Sequence, residues 1–197
     1  MRYATSELME PLHKRNVSLS LNIRTLQTIS LTFLNCLVSG RTREGSYWST
    51  KAYAWSQEYL PEIVIIMLGT NDSKHPNWNA VNYRKDLTSL VQSYKVLPSN
   101  PKVHLMVPPR AEATEHVTEV YGMQPDIIET SIPEIIHKIG EDENVHVIDL
   151  SKLFVDSRKP SHIYAPGDPG YWSSDGVHPD DAGYQKMAQY IYDHLNL

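Results

Sequence analysis

The sequence predicts an α/β fold, a three-layer α/β/α sandwich around a parallel sheet, and three observations predict it. EIVIIML (62–68), KVHLMV (102–107) and NVHVID (144–149) have the length and apolar content of buried strands. Segments with helical apolar spacing lie between and after them. Strands that alternate with helices form parallel sheets covered by helices, and the handedness of crossovers then fixes most of the topology.

Taken in order, an apolar segment at about 29–38 is the first strand candidate, whereas VSLSLNI (17–23) alternates as a half-exposed strand would. Residues 47–59 place Trp48, Ala52, Trp55 and Tyr59 at helical spacing, and Pro61 closes the helix. The near-continuous run at 62–68 fits a strand covered on both faces. Residues 79–95 put Val81, Leu87, Leu90, Val91 and Tyr94 on one side of a second helix. Six isoleucines between Ile127 and Ile139 mark a third, with Pro133 at a boundary or kink. A last helix at about 180–195 carries Tyr184, Met187, Ala188, Ile191 and Leu195, with Asp180 or Asp181 suited to cap it. The Pro-, Gly- and Ser-rich stretch 156–174 reads as a long loop, and loops of that length in compact domains are usually functional or disordered.

The chain has 197 residues, enough for one well-cored domain. Hydrophobic content of 41% and charged content of 21% place it among ordinary globular proteins. A net charge of -5 lacks the basic face that nucleic-acid binders carry, so no nucleic-acid partner is expected. The single cysteine, Cys36, forms no internal bridge and reads as a small buried hydrophobe. No apolar run is long enough for a signal peptide or a membrane span, which makes the cytoplasm the default expectation.

Ligands of open α/β sheets bind beyond the carboxyl ends of the strands. Strand 62–68 runs into Gly69-Thr70-Asn71-Asp72, strand 102–107 into Pro108-Pro109-Arg110, and segment 29–38 into Ser39-Gly40-Arg41-Thr42. Before the last helix stands Asp175-Gly176-Val177-His178-Pro179, where the glycine permits a turn and the proline keeps His178 out of helical conformation. Each cluster alone is ordinary turn chemistry or a helix lead-in.

Together, SGRT (39–42), GTND (69–72) and DGVHP (175–179) resemble the blocks of the SGNH/GDSL hydrolase superfamily, esterases and acyl hydrolases with a flavodoxin-like sandwich. The resemblance covers residues 34–197 as a hydrolase-like domain and leaves 1–33 as an atypical N-terminal segment. It implies that His178 is the general base and that Asp175 orients its ring. By the same resemblance the Gly40 N–H and the Asn71 carboxamide hold the oxyanion. Acyl transfer needs such a set: a base, an orienter and fixed donors where charge develops.

The superfamily's first block, Gly-Asp-Ser with the nucleophilic serine, is absent: no glycine precedes Gly40 and no Asp-Ser pair occurs there. The nucleophile is therefore unassigned. An altered N-terminal reading that replaces the true first block is the favoured explanation. Ser6 or Ser20 as a substitute, or binding without turnover, are the others.

Trp48, Trp78, Tyr171 and Trp172 offer flat faces for a sugar ring, although Trp48 is better explained as a core residue. Trp172 and Arg41 are the candidate substrate-binding residues. Arg41 and Arg110 suit an anionic substrate group or simple solvation. The expected substrate is a carbohydrate or other small ester, with no cofactor and no metal. A metal hydrolase built on Asp72, His75, Asp175 and His178 is the weaker rival, because their spacing matches no compact ligand motif. His104 and His146, inside strands, read as packed and hydrogen-bonded.

Overall fold

The computed structural model describes residues 28–32, 37–40, 45–153 and 175–195. Four parallel strands form one sheet in chain order: β1 (Thr28–Thr32), β2 (Ile63–Met67), β3 (Lys102–Val107) and β4 (His146–Asp149). The last three fall on the apolar segments read as strands. The first occupies the start of segment 29–38, and its register sets Thr28 opposite Ile63 and Thr32 opposite Met67. The sheet thus opens ahead of residue 34, the boundary suggested by the sequence.

β2 shows why its sequence is a continuous apolar run. Val64 and Ile66 enter one buried cluster and Ile63 and Ile65 the other, so both faces of the strand are covered. β3 divides the same way, with Val103, Leu105 and Val107 on the first side and Met106 on the second. Helices α1 (Lys51–Glu58), α2 (Ala80–Lys95) and α3 (Ile132–Glu143) supply the first cluster, and α4 (Asp181–His194) supplies the second. The result is the three-layer sandwich.

In two helices, three residues of the predicted inner side face outward. In α1, Trp55 is 63% exposed and Tyr59 also faces outward, while Ser56 is buried. The cause is a polar clasp in the core: Ser56 Oγ lies 2.6 Å from the Tyr94 hydroxyl and 3.1 Å from that of Tyr47. Packing of Trp48, Ala52 and Tyr53 against the same cluster completes that face, which bears out the core reading of Trp48. In α2, Val81 is 76% exposed. The buried stripe is Tyr83, Asp86, Leu87, Leu90, Val91 and Tyr94, a three-to-four spacing that leaves position 81 outside.

The boundaries follow from local chemistry. Side-chain oxygens of Thr50, Asn79 and Asp180 cap α1, α2 and α4 by accepting the N–H groups of Tyr53, Asn82 and Gly183. The stretch Ile127–Ser131 forms a π-helical turn, and α3 begins with Pro133 in its first turn, where a missing N–H costs nothing. Pro133 therefore marks a boundary. His146 is hydrogen-bonded, its Nε2 lying 3.0 Å from the His194 carbonyl. His104 departs from expectation: it is buried, and neither ring nitrogen finds a partner among the described residues. No helix among the described residues is long and apolar enough to cross a membrane.

Candidate active site

The turn after β2 is built around two residues. Gly69 adopts φ 139°, and a Cβ there would lie 2.7 Å from the Tyr83 hydroxyl, which donates to the Leu68 carbonyl. Asp72 is fully buried, and its two carboxylate oxygens accept the N–H groups of Val38 at 3.1 Å and Ser39 at 2.9 Å. Burial raises its carboxyl above the ordinary range, against the pull of the Ser39 and Val38 donors. This long-range clasp brings the 37–40 loop to the GTND turn, with Gly40 one residue after Ser39 and Asn71 one residue before Asp72. The Asn71 backbone carbonyl is occupied by the Asn77 carboxamide, whereas its side-chain amide has no partner among the described residues.

The Gly40 N–H is engaged: it donates to Asp86 Oδ2 at 2.7 Å, and Asp86 is buried on the inner stripe of α2. This backbone donor is thus committed to a carboxylate.

The other half of the site is local. Asp175 Oδ1 accepts the N–H groups of Val177 and His178, both at 2.9 Å, while Asp175 Oδ2 lies 2.6 Å from His178 Nδ1. One carboxylate thus shapes the turn and fixes the imidazole, leaving Nε2 as the ring nitrogen available for chemistry on a half-exposed side chain. Gly176 is required between them: φ is 71°, and a Cβ would meet Val117 and the Glu112 carboxylate at 3.1 Å.

Residues 110–127 join the two halves. The Glu112 N–H donates to the Gly176 carbonyl at 2.8 Å, and the His75 N–H donates to the Gly122 carbonyl at 3.1 Å. The Gln124 carboxamide donates to the Ser73 carbonyl at 2.8 Å. Burial, then the negative charge of Asp175, push up the hydroxyls of Tyr121 and Tyr184. The Asn71 turn and the His178 loop therefore flank one segment on the carboxyl rim of the sheet. Arg110, at the start of this segment, is ion-paired with Glu129 rather than simply solvated.

Arg41 and Trp172 lie outside the described residues, as do Cys36, Ser6, Ser20, segment 17–23 and loop 156–174. The metal reading meets an obstacle at Asp72, whose two oxygens are committed to backbone donors. No group of three or more His, Cys, Asp or Glu among the described residues is arranged to hold a metal ion. Asp86 is the residue that the sequence reading passed over. An aspartate on the apolar stripe of a helix was the available signal, since buried carboxylates are rare unless they have partners.

A parallel sheet between helix layers, with a carboxylate-held histidine and a GTND turn on its carboxyl rim, defines the SGNH hydrolase fold. The chain belongs to the GDSL-like lipase/acylhydrolase family, whose profile matches residues 27–186. It is similar to an acetylxylan esterase of Xylanibacter ruminicola, 26% identical over 176 residues that cover 78% of this chain and 33% of that protein. The chain thus spans about a third of that relative's length. Among solved structures it is similar to the acetyl xylan esterase AlAXEase, at 26% identity and a TM-score of 0.52, over 70% of this chain and 69% of that one. A lipase/acylhydrolase from Enterococcus faecalis matches at 25% identity and a TM-score of 0.51, over 68% of this chain and 60% of that one.

Proposed function

We propose that this chain is a serine-type carboxylic ester hydrolase acting on acylated carbohydrates, as a carbohydrate O-deacetylase or short-chain acyl esterase. His178 is the general base, Asp175 its orienter, and the Asn71 carboxamide and Gly40 N–H the oxyanion donors. The observation that carries this reading is the 2.6 Å contact between His178 Nδ1 and Asp175, which leaves Nε2 to take a proton from an attacking hydroxyl. The acetylxylan esterase relatives support the acetyl and carbohydrate part of it. A donor of the Asn71 kind contributes about 3 to 4 kcal/mol to transition-state stabilisation. Arg41 and Trp172 are assigned to substrate binding. The attacking hydroxyl is assigned to no residue, because no Gly-Asp-Ser occurs in the sequence.

Turnover of p-nitrophenyl acetate by the chain and by His178→Ala tests the proposal. The reading expects the unmodified chain to be faster by about tenfold or more. Equal rates would reject catalysis by this chain.

A second reading, a hydrolase-like protein that binds acylated glycans without cleaving them, draws on the same missing motif and on the Asp86 carboxylate that holds the Gly40 donor. Binding of an acetylated oligosaccharide without acetate release would favour it.

A further inference from the structure

Beside the Asn71 turn lies a cavity of about 440 Å³, within the range of small-ligand sites and far larger than an acetyl group requires. We propose that it is the leaving-group subsite, built for a neutral, hydroxyl-rich alcohol, and that Glu119 and Asp126 make it discriminate against anionic alcohols. The inference rests on the ester-hydrolase reading for its place in a reaction, but not for the binding that it predicts.

Position is the first argument. The cavity wall is drawn from the segment whose backbone holds both halves of the site, through Gly122 to His75 and through Glu112 to Gly176. Whatever occupies the cavity lies along the segment that is tied by its backbone to the Asn71 turn and to the His178 loop.

Chemistry is the second. Glu119, Asp126, His75 and Thr118 line the polar side, while Met123 and Ile127 are among the apolar lining residues. Carboxylates are acceptor-only groups, and hydrogen bonds from hydroxyls to them are charge-assisted. Sugar hydroxyls are suitable donors, and the apolar residues match the C–H face of a pyranose ring. Neither the Glu119 nor the Asp126 side chain forms a hydrogen bond or ion pair with another described residue, so both are available to a ligand.

Charge is the third. Among the described residues no lysine or arginine lines the cavity, and Arg110, the cation on the same segment, is paired with Glu129. A phosphate or uronate entering here meets two carboxylates, with no cationic side chain among the described lining residues to offset them.

The experiment titrates the full chain, at neutral pH and low salt, with xylotriose and with trigalacturonate, read by amide chemical shifts. Xylotriose should move resonances of residues 118–127 and bind about tenfold or more tightly than trigalacturonate. The Glu119→Gln/Asp126→Asn double variant should weaken xylotriose binding several-fold and narrow the gap between the two sugars. Both substitutions replace exposed side chains, and an unchanged thermal midpoint verifies folding. Shifts located elsewhere, no binding of xylotriose, or equal or tighter binding of trigalacturonate would overturn the proposal. Xylotriose binding together with equal p-nitrophenyl acetate rates in the chain and His178→Ala would remove the hydrolase reading and leave the subsite standing. Turnover lost in His178→Ala but no xylotriose binding would do the reverse.

Discussion

The two halves of the site are built by opposite means. Asp175 accepts the N–H groups of Val177 and His178, within three residues of itself, and a single turn holds this geometry. Asp72 reaches 33 and 34 positions back along the chain to Ser39 and Val38. Gly40, 46 residues from its partner, depends on Asp86 in the same way. On the proposed reading, a short peptide segment therefore positions the base and its orienter, whereas the donor side exists only when the sheet and α2 are in place. The histidine half should tolerate damage to the core better than the donor half.

The largest expected effect tests this contrast directly. Asp72→Ala leaves two backbone N–H groups unsatisfied in a buried place and should cost about 4 kcal/mol of unfolding free energy. Asp175→Ala opens a partly exposed turn to water and should cost about 1 kcal/mol while abolishing the orientation of His178. Urea unfolding of the two variants decides, and equal destabilisation would break the contrast.

Acid offers a second probe, aimed at the opposite face. His104 alternates with Val103 and Leu105 on β3 and so faces the α4 side of the sheet. Burial, then the neighbouring His146 and Lys102, push its imidazole down to about 4. Above the unfolded value near 6.5 the ring is neutral in both states and adds no pH dependence. As pH falls from there to about 4, the unfolded chain takes up a proton that the folded chain refuses, and about 3 kcal/mol of stability is lost. His104→Leu should flatten this part of the stability profile, and an unchanged slope would refute the assignment. Below the Asp72 and His104 effects stands Gly176→Ala, which forces a left-handed alanine against Val117 and Glu112 and should cost about 1 to 2 kcal/mol. Its loss should appear in the exchange rates of the His178 turn before those of the GTND turn.

What the sequence made legible follows the same division. The strand at 63–67 was readable because burial on both faces writes an uninterrupted apolar run, and those at 102–107 and 146–149 because short apolar runs survive around their polar residues. The DGVHP turn was readable because its contacts lie within the motif. The inner side of α1 was misjudged at Trp55 and Tyr59, since tyrosine and serine hydroxyls that satisfy one another in the core carry no apolar signature, whereas α2 was misjudged at Val81 alone. The clasps on Val38, Ser39 and Gly40 were invisible for a related reason. Their partners are distant in the chain, and an aspartate in isolation does not announce which amide it will hold. Only the placement of Asp86 on an apolar stripe hinted that a buried charge had found a donor.

The links between segment 110–127 and the rim at Gly176 and His75 are made by main-chain atoms on both sides. Side chains between those two anchor points can be exchanged while the anchors persist. On the proposed leaving-group reading, exchanges along this short wall alter which alcohol is admitted and leave the Asn71 and His178 turns in place.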